Sequence, residues 1–159
     1  MKEITESEAL GKAAAYCSAA EHCLSEVQAK LTQWGMDPEA TARILQRLTD
    51  ERFIDERRYC RFFVADKLRG NQWGRTKIRQ ALWQKRIDET LADETLQEID
   101  EQEYLSILDR LLRAKRRSVV AKSDYERNGK LIRFALGRGF EMNLICRLLK
   151  VDDYEGEED

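Results

Sequence analysis

Apolar positions recur along the chain at helical spacing, and one set of offsets appears three times. With Met36, Ile87 and Phe140 as anchors, 51 and 53 residues apart, Val27, Ile78 and Leu131 lie nine residues upstream. Leu31, Leu82 and Ala135 lie five upstream, and Leu45, Leu96 and Leu149 lie nine downstream. An acid follows each anchor (Asp37, Asp88 and Glu141), a residue type suited to the first turn of a helix. The spacing predicts a helix, a short turn and a second helix about each anchor. Longer helices are predicted ahead of each pair, at roughly 7–20, 57–69 and 102–117. Few stretches alternate with period two for long enough to make a strand, so the chain reads as all-α.

The breakers agree with this pattern. The single proline stands in Asp37-Pro38-Glu39, where Asp37 can cap a helix and Pro38 can occupy its first turn. Gly35, Gly70, Gly74, Gly129 and Gly139 punctuate the periodic segments. A three-helix unit of about 50 residues buries little core alone, but stacked neighbours cover one another's apolar faces. The expectation is an elongated, curved array of three tandem three-helix repeats. Their bounds are residues 1–54, 55–101 and 102–150, with a disordered acidic tail expected at 151–159.

Charge changes the picture, because a net −2 over 159 residues conceals segregation. Residues 57–86 hold ten Lys/Arg and one acid, and residues 110–150 hold twelve Lys/Arg and three acids. Residues 89–109 carry eight acids and no base, residues 1–54 balance to −3, and the tail from Val151 carries six acids. Arg58, Arg61 and Arg69 recur at helical spacing among Tyr59, Phe62 and Phe63. Arg75, Arg79 and Arg86 form a second stripe beside Trp83, and Lys67, Lys77 and Lys85 add to the block. Arg113, Lys115, Arg116, Arg117 and Lys122 form another cluster, larger than a helix C-terminus needs for its dipole. A one-acid block cannot pair so many cations from within, which points to an external anion such as phosphate. Trp34 and Trp73 flank turns and are expected to pack, whereas Trp83 is a candidate stacking platform for bases.

Other chemistry has little support. Cys17, Cys23, Cys60 and Cys146 contain no C-x-x-C pair and are expected to be reduced, buried thiols. His22, the only histidine, and Cys23 are expected on one helix pointing apart, which excludes a nucleophile pair. Gly70-Asn71-Gln72-Trp73-Gly74-Arg75-Thr76 is one residue short of a phosphate loop and has Arg where Lys belongs. No enzyme activity, cofactor or metal is expected. No apolar run approaches the ~20 residues of a membrane span, and the acidic start lacks a signal layout. A cytoplasmic monomer is the expectation.

The run Phe53-Ile54-Asp55-Glu56-Arg57-Arg58-Tyr59-Cys60, followed by Phe63-Val64 and Lys67, resembles the central signature of the RecX regulatory proteins. The likeness continues through Trp73-Gly74-Arg75-Thr76-Lys77-Ile78, Leu82 and Lys85-Arg86-Ile87. Glu26-Val27, Lys30-Leu31 and Gly35 resemble that family's opening pattern, and Lys130-Leu131-Ile132-Arg133 with Arg138-Gly139-Phe140 its close. Arg86 departs from the family, standing where many members place glycine, and an altered turn is expected there. Ala19-Ala20-Glu21-His22-Cys23 replaces a more basic stretch. The resemblance implies tandem three-helix repeats and a non-enzymatic modulator of the RecA recombinase. Such a protein lies along the RecA–DNA filament and restrains its ATP hydrolysis, strand exchange and coprotease activity. The partners implied are the RecA filament and single- and double-stranded DNA. A sequence-tolerant DNA-binding protein acting without recombinase is the alternative.

Overall fold

The computed structural model describes residues 3–151, so the acidic tail expected at 151–159 lies outside the described residues beyond Val151. Those residues form nine α-helices and no strand. They are α1 (Glu6–Ala19), α2 (Leu24–Gln33), α3 (Pro38–Asp50), α4 (Glu56–Ala65), α5 (Arg75–Gln84), α6 (Glu89–Gln97), α7 (Glu101–Arg116), α8 (Asp124–Gly137) and α9 (Met142–Leu149). The helix expected at 57–69 is α4 continued by a π turn, Asp66–Gly70. His22 and Cys23 lie in the α1–α2 turn rather than on one helix, with Cys23 at the N-cap position of α2.

The threefold apolar pattern has a backbone cause. At each anchor the preceding residue adopts a left-handed conformation, with φ of 91° at Gly35, 60° at Arg86 and 97° at Gly139. The anchor's N–H then reaches back to the residue five upstream: Met36 to the Leu31 carbonyl at 3.0 Å, Ile87 to Leu82 at 3.1 Å, and Phe140 to Ala135 at 3.1 Å. This is a Schellman closure, in which the residue after the left-handed position packs back on the last helical turn. The positions five and nine upstream are all fully buried.

Arg86 therefore keeps the turn expected to change. Its backbone takes up the left-handed φ instead, because Ile87 is buried and holds the closure. A side-chain-bearing residue there carries a cost of about 1 kcal/mol, partly offset because glycine loses more freedom on folding. Arg86→Gly is expected to stabilise the protein by about 0.5–1 kcal/mol, read as a higher urea midpoint. A lower midpoint would show that the Arg86 side chain stabilises the turn by more than its backbone costs.

The acids after the anchors divide in use. Asp37 Oδ1 accepts from the Ala40 N–H at 2.8 Å, and Asp88 Oδ2 accepts from the Leu91 N–H at 3.2 Å. Glu141 makes no such cap and turns to other partners.

The chain divides into two compact units, one of residues up to 63 with 82–92, the other of 64–81 with 93 onward. In the first unit, Ala9, Ala13, Cys17, Val27, Leu31, Ile44, Leu48 and Ile54 form a buried cluster where α1, α2 and α3 meet. Trp34 and Met36 pack against its edge.

In the second unit α7 packs against α8 and α9, and α8 against α9. Tyr104, Leu108, Leu131, Ile132, Ala135 and Ile145 are fully buried there. The start of α5 lies directly on the α8–α9 turn. The Gly74 N–H donates to the Arg138 carbonyl at 2.7 Å and the Thr76 N–H to the Gly139 carbonyl at 3.1 Å. Two glycines face each other at this approach, with room for neither to carry a Cβ.

Candidate nucleic-acid interface

The fourteen cations singled out from sequence fall into two classes. The first class is consumed within the fold. In the first unit Arg58 Nε donates to Glu21 at 2.6 Å, and its NH2 group reaches the carbonyls of Arg52 and Phe53 at 3.2 and 3.3 Å. This guanidinium closes the α3–α4 turn. Lys85 Nζ donates to Glu26 at 2.8 Å, beside the Ser25 hydroxyl that donates to the Lys85 carbonyl at 2.6 Å. Burial alone would raise the Glu26 carboxyl, but Lys85, His22 and the Cys23 N–H outweigh it and hold the group below its ordinary value.

In the second unit Arg69 grips Glu103 with two parallel bonds of 2.6 and 3.0 Å, and Arg79 donates to Asp93 at 3.0 Å. Arg75 is largely enclosed, its side chain 18% exposed. It donates to Glu141 at 2.8 Å and to Glu101 at 2.7 Å, with its guanidinium 3.8 Å over the Tyr104 ring. The Tyr104 hydroxyl donates to Glu141 at 2.5 Å and accepts the Arg75 backbone N–H at 3.0 Å. Burial, then the bond to Glu141, pushes this phenol well above its ordinary value. Lys67 and Lys77 lie over the ring of Trp73, which is half-buried, at 5.2 and 4.7 Å.

The count of one acid in residues 57–86 thus does not limit pairing. Glu21, Glu26, Asp93, Glu101, Glu103 and Glu141 all come from outside the block. Half of these, Asp93, Glu101 and Glu103, belong to the acid-only segment 89–109. Opposite charge in consecutive segments was the signal in the sequence that those segments fold together. Tyr104 and Glu141 are the members of the network that charge counting missed.

The second class lies at the surface. Arg61 is exposed on α4, and Arg86 is exposed at its turn beside Trp83, a residue 76% exposed. The larger group stands at the C-terminal end of α7 and in the loop after it. Arg113 pairs with Asp109 one turn back at 2.8 Å, and Lys115 lies 4.8 Å over the Phe134 ring. Arg116 and Arg117 are exposed and have no ion-pair partner among the described residues, and the Lys122 side chain is exposed as well. Val120 and Tyr125, 84% and 66% exposed, border them. Cations projecting from a helix end with apolar groups at their rim can contact phosphates and the flat faces of bases. The nearby acid Glu126 is already committed to the Lys122 N–H and to Lys130.

All four cysteines are buried and none forms a disulfide among the described residues; burial raises the thiols of Cys17 and Cys23. No group of three or more metal-ligating side chains occurs among the described residues. No described helix is long and apolar enough to cross a membrane.

Comparison with known proteins places this geometry in one family. Family models for the second and third three-helix domains of RecX match residues 55–96 and 101–149. The chain is similar to Regulatory protein RecX of Chlorobaculum tepidum, 30% identical over 95% of this chain and 92% of the relative. It is 31% identical to Regulatory protein RecX of Chlorobium phaeobacteroides over 81% of this chain and 83% of that one. Among solved structures, RecX from Lactobacillus salivarius shares the fold with a TM-score of 0.81 at 21% identity, covering 91% of this chain and 94% of that chain. With all-α architecture, repeated Schellman turns and near-full-length likeness in agreement, the chain belongs to the RecX family of regulatory proteins.

Proposed function

We propose that this protein binds RecA filaments on DNA and restrains their ATP hydrolysis, strand exchange and coprotease activity. The observation that carries the reading is the likeness over 95% of the chain to a protein named Regulatory protein RecX. The division of the cations supports it and narrows where contact is made. Arg58, Arg69, Arg75, Arg79 and Lys85 neutralise acids of the fold. Their charges contribute less to an external anion than their number in the sequence indicates. Arg116, Arg117 and Lys122 project into solvent and are the better candidates for phosphate, while Trp83 and Arg86 offer an aromatic and a cation to a protein surface. The array acts on the filament as a three-repeat unit in the cytoplasm, as a monomer, and its role is binding rather than catalysis.

The direct experiment adds the protein in substoichiometric amount to RecA on single-stranded DNA. ATP hydrolysis is expected to fall, and unchanged hydrolysis and filament length at saturation would sink the reading. Arg116→Gln, Arg117→Gln and Lys122→Gln together are expected to weaken binding to single-stranded DNA. The slope of log affinity against log salt should fall by about two units, at ~0.7 for each phosphate that is no longer neutralised. An unchanged slope with unchanged affinity would remove these residues from the interface. Binding to naked DNA that survives while filament ATPase is unaffected would favour a DNA-binding protein acting without recombinase.

A further inference from the structure

We propose that Lys77, Lys115 and Arg138 form a phosphate-binding strip for a nucleic-acid backbone, continuous with the exposed cations at the end of α7. The choice of nucleic acid as the anion rests on the function proposed above; the excess of charge in the strip does not.

The strip is built on two aromatic rings of the second unit, each of which gathers two cations. Lys67 and Lys77 lie over Trp73 as described, while Lys115 and Arg138 lie over Phe134 at 4.8 and 5.7 Å. The approach of α5 to the α8–α9 turn joins the two rings. Arg138 donates from its NH2 group to the Asn71 carbonyl at 2.8 Å, and its own carbonyl accepts the Gly74 N–H. The Lys77 stem starts directly beside Gly139, where a Cβ on the glycine would meet it. Beyond Lys115 the chain runs on to Arg116 and Arg117.

A ring face holds a cation without cancelling it, because the attraction is to the ring quadrupole and the full positive charge remains. Two cations that share a ring stand within about 10 Å of each other, a screening length at 0.1 M salt, and so they repel. Elsewhere in this unit the fold meets such charge with carboxylates: Arg69, Arg75 and Arg79 each hold an acid of residues 89–109. Along the strip it does not. Lys67 has Asp66 at 3.9 Å, but Lys77, Lys115 and Arg138 form no ion pair among the described residues, and Arg138 Nε is buried without a hydrogen-bond partner. All four residues are half-buried. Side chains already laid on a ring lose less freedom when an anion arrives. A run of phosphates brings several charges at once and releases a counterion for each that is neutralised. Cations already stand over both rings, so the contact is with phosphate rather than by base stacking, and it carries no sequence information.

The test uses the full chain. Its lysines are acetylated in a short pulse with and without saturating oligo(dT), and each site is read by mass spectrometry. Lys77 and Lys115 should lose most of their reactivity when the strand is bound. Lys12 and Lys30, which lie over Trp34 and Tyr16 in the first unit, should keep theirs. An abasic strand of equal length should protect as well as oligo(dT) does. Lys77→Gln combined with Lys115→Gln should lower the slope of log affinity against log salt by about 1.4, at ~0.7 for each phosphate released. The footprint needs no variant, so it decides the matter even if the double variant fails to fold. A bound strand that leaves Lys77 and Lys115 fully reactive overturns the strip. Protection that requires the bases overturns the phosphate contact, and equal protection by poly-glutamate at the same charge concentration overturns the assignment to nucleic acid. If the chain binds no strand yet lowers the ATP hydrolysis of the filament, the strip fails and the function proposed above stands. If the lysines are protected yet hydrolysis is unchanged, the strip stands and that function fails.

Discussion

Replacing Gly139 by Ala is expected to cost about 3–5 kcal/mol, and Gly74→Ala about as much. A Cβ on Gly139 would lie 2.5 Å from the Lys77 Cβ and 2.6 Å from the Lys77 nitrogen, at a φ of 97° that a side chain resists. On Gly74 it would meet the Gly139 carbonyl carbon and oxygen at 2.4 Å and the Phe140 nitrogen at 2.5 Å. These neighbours include the backbone of a buried turn, so the two segments must separate. Separation breaks the Gly74–Arg138 and Thr76–Gly139 bonds. Overpacking contributes about 1–3 kcal/mol and each broken bond about 1 kcal/mol. For a protein whose total stability is about 5–15 kcal/mol, such a loss lowers the melting temperature by roughly 10 °C or more. Gly35→Ala is the control: its φ of 91° is equally strained for a side chain, but nothing lies within 4 Å of the added methyl. It should cost only about 1 kcal/mol. Thermal melts that rank Gly35→Ala level with Gly74→Ala would show that the two glycines do not hold α5 on the α8–α9 turn.

The second large effect concerns Arg75. Reversal to Glu is expected to destabilise the second unit strongly rather than merely to weaken binding. It would remove the partner of Glu101 and Glu141 and place a third carboxylate in an enclosed site. Breaking an enclosed pair in this way costs about 3–5 kcal/mol. Tyr104→Phe should cost less, about 1–3 kcal/mol, because it leaves the Arg75 N–H without its acceptor and Glu141 with the Arg75 guanidinium as its remaining side-chain donor. Arg116→Glu, by contrast, changes an exposed side chain and should alter stability by no more than about 0.5 kcal/mol. Circular dichroism melts separate the cases. Arg75→Glu that melts as the wild type does, with binding abolished, would move Arg75 from the fold to the interface. Any binding measurement on Arg75 variants therefore needs a folded control.

Much of the fold is legible in the sequence. The offsets of nine and five residues before Met36, Ile87 and Phe140 can be read because they coincide with buried positions of a Schellman closure. Such a closure is local, so its cause is contained in ten consecutive residues. The π turn at Asp66–Gly70 is not legible, since its apolar spacing is that of an ordinary helix end. The candidate site is harder to read than the fold. Arg75 and Glu141 are 66 residues apart and Lys85 and Glu26 are 59 apart, so no local charge count anticipates those pairs. Glu141 illustrates the difficulty. It occupies the position at which Asp37 and Asp88 cap helices, yet its longer side chain reaches Arg75 and Tyr104 instead. Arg116, Arg117 and Lys122 are candidates from the sequence because a run of cations at a helix end exceeds what its dipole and neighbouring acids can satisfy.

The placement of the buried cysteines gives the molecule built-in reporters of local opening. Cys17, Cys23 and Cys60 lie in the first compact unit and Cys146 in the second. An alkylating reagent reaches a thiol only when the surrounding structure opens, so mass spectrometry of pulse-labelled peptides reads the opening free energy of each unit separately. Under the function proposed above, protein with and without the filament can be compared without introducing a probe, and the unit clamped by that partner would be the one whose thiols fall silent.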